Sequence, residues 1–329
     1  MNLRALLVSP LAFSLLVAVR PAAEKIEFRP LAGLTLVETV RAEVEGENER
    51  TSDEGSSTMR LTEEFLLVVT DEIQAAKGGR TTKLRRTQDE LSSKSSSEFQ
   101  GPDGMSVTGS SDLENATVTF EWSEDEQEYA ASSDEVEADV LEDLPYDLDF
   151  AALLPSGDVS EGDEWEVDTD AFANLTNPWP KLPWKWDLPE QEGTVTTADD
   201  EPEVDESRDG EVTATYAGTR EVDGVTLAVV TLEGEIEVET TVGGSSDGGP
   251  GSATFHQEWT AKRSIEGELL WNVAGGYLHS LRIVSEEESQ GSLEDSFSVF
   301  GEDFIETEQR EKRTSSSTFT ASFEPARKR

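Results

Sequence analysis

The densest group of side chains that could do chemistry lies between Asn177 and Trp186, in the segment NPWPKLPWKW. It contains Trp179, Trp184 and Trp186, out of seven tryptophans in the whole chain, and its prolines exclude a helix or a central strand. A tryptophan on a stiff loop can stack on a sugar or anchor a protein partner. If the loop folds back instead, the same rings fill the open end of a sheet with a thin core. We take the three tryptophans as candidate binding residues, and both interpretations remain open.

Carboxylates are the other abundant chemical group, because 71 Asp and Glu face 26 Lys and Arg and the net charge is −45. This charge would repel a phosphate backbone, so nucleic acid is excluded as a partner. Paired carboxylates could hydrolyse glycosides, but only their separation in space would identify a catalytic pair. The run Asp205-x-Ser207-x-Asp209-Gly210 resembles the start of a calcium loop, yet position twelve is Tyr216 and no helices flank it. We therefore predict no metal site.

Cysteine and histidine supply no further candidate for a catalytic or metal-binding group. The chain has no Cys, which excludes disulfides, thiolate zinc sites, iron–sulfur clusters and thiol nucleophiles. Its two histidines, His256 and His279, lie in alternating segments without an accompanying nucleophile motif. We therefore predict a protein with no enzymatic activity and no cofactor.

The N-terminus has the pattern of a secretory signal. Arg4 precedes the apolar run Ala5–Val19, which is shorter than the roughly 20 residues a membrane-spanning helix needs. We predict a signal peptide over residues 1–23, cleaved after Ala18 or Ala23, with an uncleaved anchor as the alternative. No other segment is apolar enough to span a bilayer. The mature chain is therefore expected to lack a transmembrane segment and to be exported, to the periplasm or the extracellular space.

Alternation with a period of two dominates the rest of the chain. Glu235, Glu237 and Glu239 alternate with Ile236 and Val238, which is typical of a strand with one wet face. We predict a mainly β protein with a large antiparallel sheet, curved or half-barrel in shape, and one or two short helices within 133–154. The polar stretches Ser92–Ser97, Thr197–Asp209 and Gly243–Ser252 are predicted to be loops or disordered. Two β-rich halves, residues 24–190 and 191–329, form either two domains or one.

Four stretches resemble a group of uncharacterised exported bacterial proteins: Val69–Thr87, Leu153–Trp165, Tyr216–Val230 and Gly267–Leu278. The most specific patterns are Pro-x-Gly-x-Val-x-x-Gly-Asp-x-Trp in the second and Gly-x-Leu-x-Trp-x-x-x-x-Gly-x-Leu in the fourth. The resemblance implies a large antiparallel sheet. A further analogy, at the level of fold alone, is to the half-barrels of periplasmic lipoprotein carriers.

Three functions are compatible with these observations. The first is a non-enzymatic binding or cell-envelope protein, which fits the strand pattern without a catalytic constellation. The second is a carrier that holds a lipid or another apolar ligand on a concave sheet. The third is a carbohydrate-active enzyme that uses paired carboxylates beside the tryptophan loop. The expected partner is accordingly an envelope component, a glycan or an apolar ligand.

Overall fold

The structure is a computed structural model that describes residues 24–52, 55–99, 104–141, 144–146, 150–177, 182–187, 203–248, 251–299 and 302–326. The predicted signal peptide and Trp179 lie outside these ranges. The strands are β1 Glu24–Lys25, β2 Thr35–Ser52, β3 Gly55–Lys77, β4 Arg80–Phe99, β5 Met105–Ser110, β6 Thr117–Ser123, β7 Glu128–Ser132, β8 Asp158–Val159, β9 Glu164–Val167, β10 Lys185–Asp187, β11 Glu203–Val222, β12 Val225–Gly248, β13 Gly251–Asn272, β14 Tyr277–Val299 and β15 Glu302–Pro325. The helical segments are α1 Ala138–Leu141, a 3₁₀ helix Phe150–Leu153 and α2 Thr169–Thr176.

Nearly all strands belong to one antiparallel sheet of 13 strands, which confirms the predicted fold class. The strand order is β10-β5-β4-β3-β2-β15-β14-β13-β12-β11-β9, with β6 and β7 attached beside β4, while β1 and β8 form a separate pair. The first long strand, β2, pairs with the last, β15, so that Ala42 lies opposite Phe319. Residues from 24–190 and from 191–329 therefore contribute to the same sheet.

The two faces of this sheet differ in what they contact. We call the face that bears Val40, Leu67, Ile283 and Phe319 the inner face. Its apolar side chains form one buried cluster with Phe172 and Leu175 of α2, with Phe150 and Leu153 of the 3₁₀ helix, and with Ile26, Leu113 and Phe120. The opposite, outer face carries exposed acidic residues such as Glu235 and Glu239. The alternation with a period of two thus places the apolar residues on the face that the helices cover and the acidic residues on the face that is exposed to water.

The inner face also changes character along each strand. On β15 the buried residues Phe323, Ala321 and Phe319 are followed on the same face by Ser317 and Ser315. On β14 Leu281 and Ile283 are likewise followed by Ser285 and Ser289, and on β4 Leu91 is followed by Ser93, Ser95 and Ser97. One end of the inner face is therefore apolar, and the other is lined by hydroxyl groups.

The predicted loop at Ser92–Ser97 is wrong, because these residues lie within β4. Their backbone pairs with residues 61–66 of β3 on one side, and residues 93–97 pair with β5 on the other. Residues 203–209 and 243–248 are likewise strand. Polar composition did not prevent these segments from joining the sheet, since neighbouring strands satisfy their backbone groups.

Short helices occur where the sequence predicted them, as α1 and the 3₁₀ helix within 133–154. Helix α2 was not predicted from the sequence. Asp168 caps α2, because its Oδ1 accepts a hydrogen bond from the backbone N–H of Ala171 at 2.8 Å. Phe172 and Leu175, three residues apart, are its buried side chains. Within the described part of the chain, none of the helices is long and apolar enough to cross a membrane.

Candidate functional site

The tryptophan segment lies along an edge of the large sheet. Strand β10 pairs antiparallel with β5, where Trp186 is opposite Gly109, and the Lys185 ammonium lies 2.5 Å from the Asp112 carboxylate. A Cβ atom on Gly109 would come within 3.0 Å of the rings of both Trp184 and Trp186. Glycine at this position therefore allows the two indoles to lie against the strand.

The two described tryptophans of this segment have different surroundings. Trp184 meets Phe65 of the inner face edge-on, with ring centroids 5.8 Å apart at 84°, and it packs against the buried cluster. The side chain of Trp186 is 46% exposed, and its ring lies 5.8 Å from that of Trp184. Trp184 thus contributes to the core, whereas Trp186 keeps a surface on which another molecule could stack.

A cavity of about 410 Å³ lies between the tryptophan side chains of this segment and the inner face of the sheet. Leu182, Trp184 and Trp186 form one wall, and the inner face forms the other with Ala42, Val44, Glu63, Glu64, Phe65, Ser93 and Ser95. A second cavity of about 220 Å³ lies beside it, beneath Phe172, Thr176 and Asn177 at the end of α2. The two cavities share Ala42, Val44 and Glu63 as lining residues, so they are adjacent parts of one depression.

We call this depression the cross-strand groove. Its lining residues come from β4, β3, β2, β15, β14 and β13, which are consecutive neighbours in the sheet. Five steps between strands, each about 4.8 Å, give a length of about 24 Å. The groove lies where the inner face changes from apolar residues, represented by Ile283 and Phe319, to hydroxyl residues, represented by Ser315 and Ser317.

Two arginines line the groove, Arg263 on β13 and Arg313 on β15. The Arg263 guanidinium donates to a single Glu287 oxygen, with Nη2–Oε2 2.6 Å and Nε–Oε2 3.1 Å. Arg313 also lines the groove, and it has no ion pair among the residues that the structure describes. A Cβ on Gly46 would lie 3.7 Å from the Arg313 Nε, which places this cation over the strand. Arg313 is therefore available to an anionic group of a ligand.

Comparisons with known proteins do not assign this site. No protein-family model matches the chain, and no curated protein matches it. Among solved structures, OccK2 (OpdF) of Pseudomonas aeruginosa is 7% identical with a TM-score of 0.20, covering 86% of this chain and 98% of that one. The outer membrane protease OmpT from Escherichia coli is 7% identical with a TM-score of 0.19, covering 92% and 100%. Similarities this weak bear on neither fold nor function.

A buried ionic cluster lies on the inner face, between the groove and the end of the sheet that contains the turn from β3 to β4. It was not predicted from the sequence. Arg86 donates through Nε and Nη2 to the two oxygens of Asp71, at 2.8 and 2.7 Å, and its Nη2 lies 3.7 Å from Glu38. Its Nη1 donates to the backbone carbonyl of Tyr146 at 2.9 Å. Charged residues in the apolar phase of a strand, such as Glu38 between Leu36 and Val40, were the signal that could have identified it.

The remaining sequence candidates do not meet at one place. His256 lies on the outer face, where its Nε2 is 3.2 Å from an oxygen of Glu258, and His279 is a half-buried residue of β14. Asp205 and Asp209 are exposed residues of β11. Among the residues with a described position, no group of three or more acidic or histidine side chains could hold a metal ion.

Two perturbed ionisable groups lie outside the groove. Burial, helped by the carboxylates of Glu24 and Glu161, raises the pKa of the Tyr216 hydroxyl. Hydrogen bonds of 2.7 and 2.8 Å from Arg220 lower the pKa of Glu268. Both groups have a structural explanation, a buried phenol and a bidentate ion pair respectively.

Proposed function

We propose that this chain is an exported, non-enzymatic binding protein of the cell envelope that holds an elongated amphipathic ligand, such as a lipid, in the cross-strand groove. The observation that carries the proposal is the position of the groove at the border between the apolar and the hydroxyl-lined parts of the inner face. A ligand lying across the strands would contact both kinds of surface at once. The apolar run at the N-terminus and the predicted signal peptide support export.

The apolar wall supplies the binding energy in this proposal. Ala42, Phe65, Trp184 and Phe319 can cover a hydrocarbon chain, and each methylene group removed from water contributes about 0.8 kcal/mol. The loss of free motion on association costs about 4–15 kcal/mol, so a chain of about ten or more methylenes, contributing about 8 kcal/mol or more, is needed to offset it. This supports the carrier hypothesis over a purely structural role for the tryptophan segment.

The polar wall supplies orientation. Ser93, Ser95, Ser315 and Ser317 present hydroxyl groups along the groove, and Arg313 can donate to an acidic headgroup. Glycoside hydrolysis would need two carboxylates flanking the substrate. Glu63, Glu64 and Glu287 line the groove. Glu287 is engaged by Arg263, so that chemistry would have to use Glu63 and Glu64, which release of reducing sugar would reveal.

The first experiment is native mass spectrometry of the protein purified from its own envelope fraction. We expect a retained mass that lipid extraction identifies as an acyl or isoprenoid compound. A retained oligosaccharide would support a glycan-binding protein instead. Release of reducing sugar from envelope polysaccharide would support the enzyme.

A second experiment locates the ligand. Arg313→Gln should weaken binding of an anionic phospholipid about tenfold or more, since a charge-assisted hydrogen bond contributes about 1.5–3 kcal/mol. Binding of a neutral lipid with the same chains should change little. The matched control is Arg282→Gln, which removes an exposed arginine from the outer face of β14. Equal effects of the two substitutions would contradict the assignment of the headgroup to Arg313.

Substitutions of Trp184 and Trp186 distinguish an effect on ligand binding from an effect on folding. Trp186→Ala should lower the unfolding free energy less than Trp184→Ala and weaken lipid binding, because nearly half of this side chain is exposed (46%). Trp184→Ala should lower the unfolding free energy as well, because the ring packs on Phe65. Unaltered lipid affinity in both variants would remove the tryptophan segment from the site.

A further inference from the structure

Two opposite charges of the cross-strand groove lie near each other without forming an ion pair. Glu63 of β3 lines both parts of the groove, and Arg313 of β15 lines the part beneath α2. In the described part of the chain, neither side chain has an ionic partner. The other pair of opposite charges in the groove, Arg263 and Glu287, is joined at 2.6 Å. Glu63 and Arg313 are therefore both available to a ligand.

The position of Glu63 on the inner face is unusual for a carboxylate. Phe65 and Leu67, in the same phase of β3, are 5% and 7% exposed, and Glu63 continues this phase as an exposed residue. It lies opposite Val44 of β2 and Ser95 of β4, and neither of these neighbours supplies a positive charge. The carboxylate thus lies where the apolar part of the inner face ends.

The Arg313 side chain reaches over β2, the strand that lies between it and Glu63. Arg313 is opposite Asn48, yet its Nε is 3.7 Å from the place that a Cβ on Gly46 would take. Gly46 is opposite Leu61 of β3, so Glu63 is the diagonal neighbour of Gly46 on the same face. Diagonal neighbours in an antiparallel pair are about 7–8 Å apart. The guanidinium and the carboxylate are therefore close enough to contact one small polar group from two sides.

Two opposite charges at this spacing are complementary to a ligand group that carries both signs. The planar guanidinium of Arg313 matches a phosphate and donates to its oxygens. The Glu63 carboxylate only accepts hydrogen bonds, and an ammonium group only donates them. A phosphate and an ammonium two carbons apart can contact both side chains. A phosphate alone would face the negative charge of Glu63 at a distance too short for complete screening by salt.

We propose that Glu63 selects a lipid whose headgroup carries an ammonium beside its phosphate, as phosphoethanolamine does. The phosphate lies at Arg313 and the ammonium at Glu63. Phe65, two residues from Glu63 on the same face, begins the apolar wall against which the hydrocarbon chain packs. This inference rests on the proposed function, because it takes the groove to be the lipid site, and it adds the class of headgroup.

The test compares two probes that differ only in the headgroup. They are the lysophospholipids of ethanolamine and of glycerol, each with one oleoyl chain, titrated as monomers and followed by calorimetry. Both carry the phosphate that Arg313 contacts, and only the first carries an ammonium. We expect the ethanolamine lipid to bind about tenfold tighter or more, since it adds a charge-assisted hydrogen bond.

The net charge of −45 also disfavours the glycerol lipid, so variants are needed to assign the preference to Glu63. Glu63→Gln should weaken binding of the ethanolamine lipid about tenfold and leave binding of the glycerol lipid unchanged or slightly tighter. The matched control is Glu239→Gln, which removes the same charge from an exposed position on the outer face of β12. It should keep the preference. Equal changes of the preference in the two variants would overturn the proposal.

Arg313→Gln tests the other half of the arrangement. It should weaken binding of both lipids by the same factor and keep the preference, because both contain the phosphate. Loss of the preference in Arg313→Gln, with binding of the glycerol lipid unchanged, would contradict the placement of the phosphate.

The wild-type protein separates failure of this inference from failure of the proposed function. Equal binding of the two lipids would overturn the selection by Glu63 and leave the groove as a lipid site. Binding of neither lipid, up to the concentration at which each forms micelles, would overturn the proposed function and this inference with it. Because Glu63 is exposed and glutamine has nearly the same shape, Glu63→Gln should fold, and circular dichroism checks that it does.

Discussion

The buried cluster around Arg86 offers the sharpest test of how the inner face is held together. The side chains of Arg86, Glu38 and Asp71 are only 8%, 2% and 12% exposed. Replacing Arg86 by Met keeps most of the volume of the side chain and removes the cation. Two carboxylates are then left in the core beside a backbone carbonyl of Tyr146 that has lost its donor.

The expected loss follows from that geometry. Removing one member of a buried ion pair costs about 3–5 kcal/mol, because the remaining charge is neither paired nor hydrated. Here the loss applies to a cluster with two acids, so we expect the upper part of that range. A typical domain has an unfolding free energy of about 5–15 kcal/mol, so Arg86→Met should be among the most destabilising single substitutions in this chain.

Urea unfolding, followed by tryptophan fluorescence and by circular dichroism, measures this loss. The variants can be compared directly if the slope of unfolding free energy against urea concentration stays the same. The control is Arg263→Met, whose pair with Glu287 is 33% and 19% exposed and should contribute only about 1 kcal/mol. The combined Glu38→Met, Asp71→Leu, Arg86→Met variant should recover most of the stability, because neither an uncompensated charge nor an unpaired polar side chain remains at these three positions. Equal losses for Arg86→Met and Arg263→Met, or no recovery in the combined variant, would refute the reasoning.

Three further predictions concern single residues. Because Arg220 lowers the pKa of Glu268 in the folded state, this acid stabilises the fold above its unfolded value near 4.5. Glu268→Gln should therefore lower the unfolding free energy by up to about 1 kcal/mol at neutral pH, and the difference should vanish as the pH falls through the lowered pKa. The pKa of the Tyr216 hydroxyl is raised in the folded state, so its contribution to the unfolding free energy is fully present below the unfolded pKa of 10.0 and is lost as the pH rises above it. In urea titrations at increasing alkaline pH, the unfolding free energy should therefore fall less for Tyr216→Phe than for the wild type. Gly210 has φ +128° and a Cβ there would meet a backbone oxygen at 2.2 Å, so Gly210→Ala should cost about 1–3 kcal/mol in urea unfolding, whereas Gly157→Ala, with nothing within 4 Å, should be nearly neutral.

The strands were predictable from the sequence because the alternation of apolar and polar residues along each strand indicates which of its side chains are buried. Ile236 is 3% exposed, and its neighbours Glu235 and Glu237 point to the other face, as the alternation indicates. The same reasoning failed for Ser92–Ser97, where serines occupy both phases. In that stretch, backbone pairing with the neighbouring strands makes the segment a strand, rather than its own side-chain pattern. The residues of the segment alone do not indicate which strands lie beside it.

The groove was not predictable, because it depends on pairings between distant segments. Ala42 and Ile283 line the same cavity only because β2 pairs with β15 and β15 with β14. The tryptophans could be singled out by residue type, and two of them do line a cavity. Arg313 and the hydroxyl-lined wall opposite them belong to other strands, and no local pattern connects them to the tryptophan segment.

The acidity of the chain and a groove for an anionic headgroup are compatible because the charge is unevenly distributed between the faces. On the inner face, three carboxylates sit beside arginines: Glu287 with Arg263, Glu311 with Arg50, and Asp71 with Arg86. On the outer face, strands such as β12 carry rows of exposed glutamates. At physiological ionic strength charges further apart than about 8 Å are largely screened. A headgroup beside Arg313 therefore experiences mainly the charges nearest to it on the inner face, so the net charge of −45 does not exclude an anionic ligand from the groove.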